Sequence, residues 1–261
     1  LASLGDIYIN DAFSCSHRKQ SSVHKITKFI DRCFAGPLFK KEIDAINLVI
    51  INKKEPLTCI IGGSKLSTKI NVISNLFKEV NNLIIVGAMA NNFFLYKNFN
   101  IGKSLVEANT KEIIEKIYEK AKKNNCEIVI PEDCIVSNSF EGEGKNKKLD
   151  QIENNEMILD IGVNTIKKIK GIIDHSNTVL WNGPAGYFEN KNFLKGTISI
   201  AETISKNTSN KTLISVIGGG DTLAAINKTK NKLSFSHLST AGGAFLEYLE
   251  GKDLPGLSVL K

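Results

Sequence analysis

The strongest constraint on this chain is a rhythm: from about Leu57 onward, short apolar runs end in glycine and give way to stretches of helical periodicity. LTCIIGG (57–63) precedes Ser64–Lys78, where Ile70, Ile73, Leu76 and Phe77 keep an i, i+3, i+4 spacing. NLIIVGA (82–88) precedes a helix through Asn92 to Tyr96, and an amphipathic helix over Thr110–Lys123 leads into CEIVIP (126–131). TVLWNG (178–183), LISVIGGG (213–220) and FSHLST (235–240) complete the set, with helices predicted at Phe193–Ser205, Asp221–Asn227 and Ala244–Tyr248. Strands that are apolar throughout, rather than at alternate positions, belong in a parallel sheet covered on both faces. The prediction is an α/β fold, a three-layer α/β/α arrangement around a Rossmann-like parallel sheet of about six strands with right-handed crossovers. The charged, non-periodic stretch 141–156 reads as a surface loop.

Residues before Leu57 break the rhythm. Positions 1–13 offer one strand-like run, 14–22 are polar, and Pro37–Ile51 reads as a single long helix. One strand and one helix cannot enclose a core. These residues are therefore predicted to be remnants of a second α/β lobe, with Ile7, Ile9 and Phe13 exposed.

Several function classes fall away on composition. The charge of +7 comes from 34 Lys and Arg against 27 Asp and Glu, but the lysines are scattered among asparagines and aromatics make up 7%. No basic, aromatic-interleaved patch exists for nucleic acid. Runs such as INLVII (46–51) and LIIVGAMA (83–90) fall far short of the ~20 apolar residues of a membrane span, so neither partner is expected. Five cysteines without a CxxC pair or a His/Cys cluster, and no signal segment, point to buried thiols in a reducing, cytoplasmic compartment.

The chemistry concentrates in glycine clusters at the carboxyl ends of the predicted strands, where open parallel sheets bind ligands. They are Gly62-Gly63-Ser64-Lys65, Asn182-Gly183-Pro184-Ala185-Gly186, Gly218-Gly219-Gly220-Asp221-Thr222 and Ser239-Thr240-Ala241-Gly242-Gly243. One such cluster is ordinary turn chemistry. Four in one sheet favour an anion site, because glycine lets backbone N–H groups approach a phosphate at a helix N-terminus. Lys65 and Lys69, four residues apart on the predicted helix, read either as a pair facing the site or as a solvated pair. Asp221 reads as a helix N-cap or, beside phosphates, as a Mg²⁺ ligand. Neither GxxxxGK[ST] nor GxGxxG occurs, which argues against a P-loop ATPase and a typical dinucleotide fold.

Six blocks carry a specific resemblance: LASLGDIYINDAFSCSHR (1–18), IIGGSKLSTKI (60–70), EMILDIG (156–162), TVLWNGPAGYFE (178–189), VIGGGDTLAAI (216–226) and HLSTAGGAFLEYLEGKDLPGL (237–257). In this order they resemble the phosphoglycerate kinases from the first residue nearly to the last. Departures are few: Val86-Gly87-Ala88 stands where the family has a triple glycine, Ala241 replaces a glycine, and Ser64 and Thr68 replace Ala and Asp. Ala88 is expected to narrow the adenine pocket.

The resemblance implies reversible phosphoryl transfer between 1,3-bisphosphoglycerate and MgADP, giving 3-phosphoglycerate and MgATP. Its cofactors would be ATP/ADP and Mg²⁺. By motif, Lys65 would stabilise the transferring group, with Gly242 and Gly243 as its helix-end partners. Lys69, Asn182 and Thr222 would meet the nucleotide phosphates, together with Gly219 and Gly220. Gly63, Gly87 and Pro184 would shape the nucleotide cleft, Glu189 would bind the ribose, and Asp221 would ligate Mg²⁺. Arg18 and His17 would remain of the surface that binds 3-phosphoglycerate.

The implied domains are 1–36, the end of an N-terminal acid-binding domain; 37–52, an interdomain helix; 53–240, the nucleotide-binding domain; and 241–261, a helix and tail packing back toward the hinge. Most of the N-terminal domain is expected to be missing, and the chain is expected to be a monomer with negligible turnover alone. Two alternatives stand beside this reading: a nucleotide-binding module that is catalytically inert, and a dehydrogenase. The second is disfavoured because VGAMANN supplies no acidic residue for a ribose at the end of the second strand.

Overall fold

A computed structural model describes residues 1–260. Six parallel strands form the central sheet: β3 (Leu57–Ile61), β4 (Asn82–Ile85), β5 (Glu127–Val129), β9 (Thr178–Asn182), β10 (Ile214–Gly218) and β11 (His237–Ser239), in the spatial order β11-β10-β9-β3-β4-β5. The sequence reading of an α/β/α fold with six parallel strands holds. Alternate residues of each inner strand enter different cores. Leu57, Cys59 and Ile61 of β3, Leu180 of β9 and Val216 of β10 join one, while Ile60, Val179, Trp181 and Ile217 join the other. That two-sided burial is why the strands read as continuous apolar runs.

Helices cover both faces. α1 (Pro37–Ile50), α2 (Ile70–Leu76), α3 (Ala90–Tyr96), α4 (Lys111–Lys123) and α8 (Gly242–Leu249) contribute Ile46, Ile73, Phe93, Ile117 and Phe245 to the first core. α5 (Val163–Asp174), α6 (Lys195–Ser209) and α7 (Gly220–Ile226) place Ile169, Ile204 and Ile226 in the second. α5 begins where Asp133 accepts the Asn164 and Thr165 amides, at 3.0 and 2.8 Å, two of the donors a helix start leaves unpaired. A short α9 (Pro255–Ser258) ends the described chain, its Gly256 amide bonded to the Ser16 carbonyl at 2.7 Å.

Four expectations need correction. The helix over Ser64–Lys78 shrinks to Ile70–Leu76, and residues 64–69 form an irregular loop. The stretch 141–156 is not all loop: it holds β7 (Lys145–Lys148), which joins β6 (Asp133–Ser137) and β8 (Met157–Ile161) in a separate antiparallel sheet, order β7-β6-β8. A strand of four polar residues carries no apolar signal, and only its pairing to β6 creates it. The helix α5 also lay outside the expectations. Finally, Phe13 is buried, edge-on to Phe39 at 5.3 Å and to Tyr248 at 6.4 Å, so α1 and α8 cover it. Ile7 and Ile9 are exposed as expected, beside the parallel pair of β1 (Tyr8–Asn10) and β2 (Cys33–Ala35).

Candidate functional site

Chain order runs outward from the centre of the sheet in both directions, β3-β4-β5 one way and β9-β10-β11 the other, so β3 and β9 flank the topological switch point. Crevices outside the carboxyl ends of parallel strands open at such points. Here the two strand ends touch. The Gly62 amide donates to the Asn182 carbonyl at 2.9 Å. A Cβ on Gly62 would lie 2.3 Å from the Pro184 carbonyl oxygen, and one on Gly183 the same distance from the Gly62 carbonyl. Gly183 has φ +105°, a backbone that side chains rarely adopt. The Thr222 hydroxyl, fully buried, accepts the Gly183 amide at 2.7 Å, and the Trp181 indole donates to the Gly183 carbonyl at 2.7 Å.

Two clefts open on this seam. A polar one of about 330 Å³ is walled by Gly63, Lys65, Lys69, Asn182, Pro184, Gly219, Gly220, Asp221, Thr222 and Gly242, among others. A more apolar one of about 420 Å³ lies between the seam and the antiparallel sheet, with Gly87, Ala88, Phe94, Phe140, Met157, Tyr187 and Glu189 in its wall. Both share Gly63, Ser64, Pro184 and Asp221, so they adjoin. Ala88 lies in the wall of the apolar cleft.

Lys69 is the electrostatic centre of the polar cleft. Its ammonium donates to Asn182 Oδ1, while Asn182 Nδ2 is buried with no hydrogen-bond partner among the described residues. A buried donor without an acceptor is costly, and this one lies beside the Gly219 turn. Burial pushes the Lys69 pKa down, partly offset by Cys59, Asp221 and Glu250. A partly buried cation and an orphan N–H in one glycine-walled cleft are the donor set an anion requires.

The other predicted residues divide. Asp221 is exposed in the first turn of α7; the N-cap position is Gly219, so the N-cap reading fails and the carboxylate is left facing the clefts. Glu189 is exposed at the rim of the apolar cleft, its carbonyl accepting from Lys228 at 2.9 Å. Lys65 and Lys69 do not share a helix face, because Lys65 sits in the loop before α2 and Lys69 at its N-cap; both still reach the polar cleft. His17 packs against Gly243, its Nε2 3.0 Å from where a Cβ there would stand, and accepts from Arg18 Nε at 3.3 Å. Arg18, His17 and Gly243 lie outside both cleft walls.

Three wall residues escaped the sequence reading. Phe140 and Tyr187 face each other at 4.9 Å on the rim; Phe140 sits in a loop without periodicity, although Tyr187 stood inside a matched block. Asp160 is buried in the same wall, where desolvation raises its pKa to about 7 against the Gly196 and Ile161 amides that favour its charge.

Among the described residues no group of three or more His, Cys, Asp or Glu is placed to hold a metal ion, and no helix is long and apolar enough to cross a membrane. A single carboxylate beside an anion cleft still fits Mg²⁺, which binds through one or two carboxylates plus phosphate oxygens and water.

Fold and clefts together define an open parallel α/β protein with two adjoining clefts at a topological switch point, the place where proteins of this class bind ligands. Comparison with known proteins makes this particular. The profile of the phosphoglycerate kinase family matches residues 1–252, and the chain belongs to that family. It is 46% identical over 259 residues to the phosphoglycerate kinase of Wolbachia pipientis subsp. Culex pipiens, covering 98% of this chain and 65% of that protein. The phosphoglycerate kinase structure from Coxiella burnetii superposes with a TM-score of 0.92 at 38% identity, over 99% of this chain and 66% of that one. The one from Pyrococcus horikoshii gives 0.83 at 28% identity, over 99% and 64%. The chain thus spans about two thirds of the length of the relatives it matches.

Proposed function

We propose that this chain supplies the nucleotide lobe for reversible phosphoryl transfer between 1,3-bisphosphoglycerate and MgADP, giving 3-phosphoglycerate and MgATP. The observation that carries the reading is the Lys69–Asn182 pair at the switch point, with its unpaired amide donor. Phosphoryl transfer needs positioning and charge stabilisation more than covalent help. Lys69, Asn182 Nδ2, Thr222 and the backbone at Gly219 and Gly220 would hold nucleotide phosphates. Lys65, exposed on its loop, would meet the group in flight, with Gly242 in the same cleft wall and Gly243 following it at the start of α8. Gly63, Gly87 and Pro184 would line the path to the apolar cleft, and Glu189 at its rim would take the ribose hydroxyls. Asp221 would hold Mg²⁺, which when bound neutralises phosphate charge as it shifts from the acyl phosphate to ADP. In that direction the bond from phosphorus to the acyl oxygen breaks and one to the terminal ADP oxygen forms.

The division into 1–36, 37–52, 53–240 and 241–261 belongs to the same proposal, as do a monomeric state and a cytoplasmic setting, to which five free thiols are suited. His17 and Arg18 would contribute to the acid-binding side. The exposed apolar residues Ile7 just before β1, Ile9 on β1 and Phe34 on β2 favour a companion reading, in which this polypeptide alone binds nucleotide but turns over negligibly.

Calorimetric titration with MgADP tests the reading. Lys69→Ala should weaken binding by roughly 1.5–3 kcal/mol, the worth of a charge-assisted contact, and Asp221→Ala should remove the Mg²⁺ dependence. Unchanged affinity in both folded variants would sink it.

A further inference from the structure

Residues 64–69 form an irregular loop rather than the first turns of a longer α2, and an acid from a distant connection grips that loop. Glu107, in the connection between α3 and α4, accepts the Ser67 amide at 3.0 Å through Oε2. The Ser67 hydroxyl, the Ser67 and Leu66 amides and the nearby Lys65 charge hold its carboxyl below the usual range. α2 has no side-chain cap of its own, so an acid forty residues away does for Ser67 what an N-cap does for a helix start.

Glu107 is itself fixed from behind. Its amide donates to Asn92 Oδ1 at 3.0 Å, and Asn92 also accepts from the Thr110 hydroxyl at 3.3 Å. Asn91 Nδ2 donates to the Leu105 carbonyl at 2.8 Å. Both asparagines are buried at the start of α3, which follows Gly87 and Ala88 of the apolar cleft. One rigid line therefore runs from the wall of that cleft through Asn91 and Asn92 to Glu107, and on to the loop that carries Lys65 and ends at Lys69. On the other side the loop is tied to itself, to the core and, at its end, to β9: Thr68 Oγ1 donates to the Lys65 carbonyl at 2.9 Å, the Lys69 amide to the Leu66 carbonyl, Leu66 is fully buried, and the Lys69 ammonium donates to Asn182 Oδ1.

We infer that Glu107 is a positioning residue for Lys65 and Lys69: by clasping Leu66–Ser67 it keeps the loop out of α2 and holds both ammonium groups toward the polar cleft. This rests on the nucleotide reading above. The carboxylate also lends Lys65 a counter-charge while the cleft is free of anions, and a phosphate would replace that interaction without the loop having to move.

The test uses the 261-residue chain with Glu107→Ala and Glu107→Gln, following Ser67 amide exchange and titrating MgADP and, separately, pyrophosphate. Glu107 is on the surface side of its connection, so both variants should melt close to the parent. In Glu107→Ala, Ser67 should exchange at least tenfold faster, and affinity for both ligands should fall about tenfold, the scale of one charge-assisted hydrogen bond. Glu107→Gln keeps an acceptor and should recover most of both losses. Parent-like binding in Glu107→Ala, or equal losses in the two variants, overturns the inference. A parent chain that binds neither ligand defeats the nucleotide reading itself; the clasp is then judged on Ser67 exchange, and unchanged exchange in Glu107→Ala overturns it.

Discussion

Gly62→Ala probes the seam between β3 and β9 more sharply than any charge substitution. The new methyl would sit 2.3 Å from the Pro184 carbonyl oxygen, 2.7 Å from that of Gly183 and 2.9 Å from the Gly183 carbonyl carbon. The nearest of these lies roughly 1 Å inside the ~3.5 Å of comfortable contact between heavy atoms. All three are backbone atoms, so no side chain can swing aside. The strand ends must part, which strains the packing by about 1–3 kcal/mol and stretches the Gly62–Asn182 hydrogen bond, worth about 1 kcal/mol. The sum is about 2–4 kcal/mol, a large share of the ~5–15 kcal/mol typical of a folded domain. Urea unfolding reads this directly, with Gly171→Ala as the control. Gly171 is exposed inside α5 with nothing within 4 Å of an added Cβ, so that change should stabilise by about 0.5–1 kcal/mol. Asn182 and Lys69 are tied to the parted strands, so Gly62→Ala should also weaken MgADP binding. A loss below about 0.5 kcal/mol with parent-like MgADP affinity would refute the claim that the backbones at this seam are in obligatory contact.

Three further outcomes follow from single groups. Burial depresses the Lys69 pKa in the ligand-free chain, and bound phosphate would raise it again. MgADP binding should therefore take up protons and weaken as pH climbs through the depressed value toward 10.5; titrations in buffers of different ionisation enthalpy that show no uptake would contradict this. Burial pushes Glu42 of α1 up, but hydrogen bonds from His237 and Ser239, the His237 charge and the Thr240 amide outweigh it and leave its pKa lowered. Its stabilisation should be complete above the ordinary value of 4.5 and disappear as pH falls through the lowered one, so melting curves of Glu42→Gln should lack that part of the acid slope. Phe140→Ala should cost ADP about 1–2 kcal/mol of affinity by removing an aromatic face from the rim, while leaving pyrophosphate untouched; equal losses for both ligands would remove Phe140 from the base site.

What could be read from the residues follows how local each cause is. The six parallel strands announced themselves because burial on both faces demands unbroken apolar runs, and glycines marked their carboxyl ends. Asn182, Asp221 and Thr222 could be singled out as candidates because they adjoin those glycines, and Lys69 through its spacing from Lys65 and the family resemblance. The loop at 64–69 was not, since Glu107 that shapes it lies forty residues on. Phe13 looked stranded because Phe39 and Tyr248, which cover it, stand in α1 and α8. β7 was hidden for the opposite reason: Lys145–Lys148 takes its shape from pairing with β6, and nothing in four polar residues foretells that.

The order of strands also bears on how the chain emerges during synthesis. β3 pairs with β4 on one side and with β9 on the other, and β9 is translated more than a hundred residues after β3. At ~5–20 residues per second, the Leu57–Ile61 edge stays open for several seconds, and its five residues, Leu-Thr-Cys-Ile-Ile, are all destined for burial. An unpaired, uncharged, β-prone edge is a template for pairing with another nascent chain. The seam that later makes the clefts is thus, for a time, the place where neighbouring polypeptides on one messenger are most prone to join, and a chaperone that shields it would act between the synthesis of Ile61 and that of Asn182.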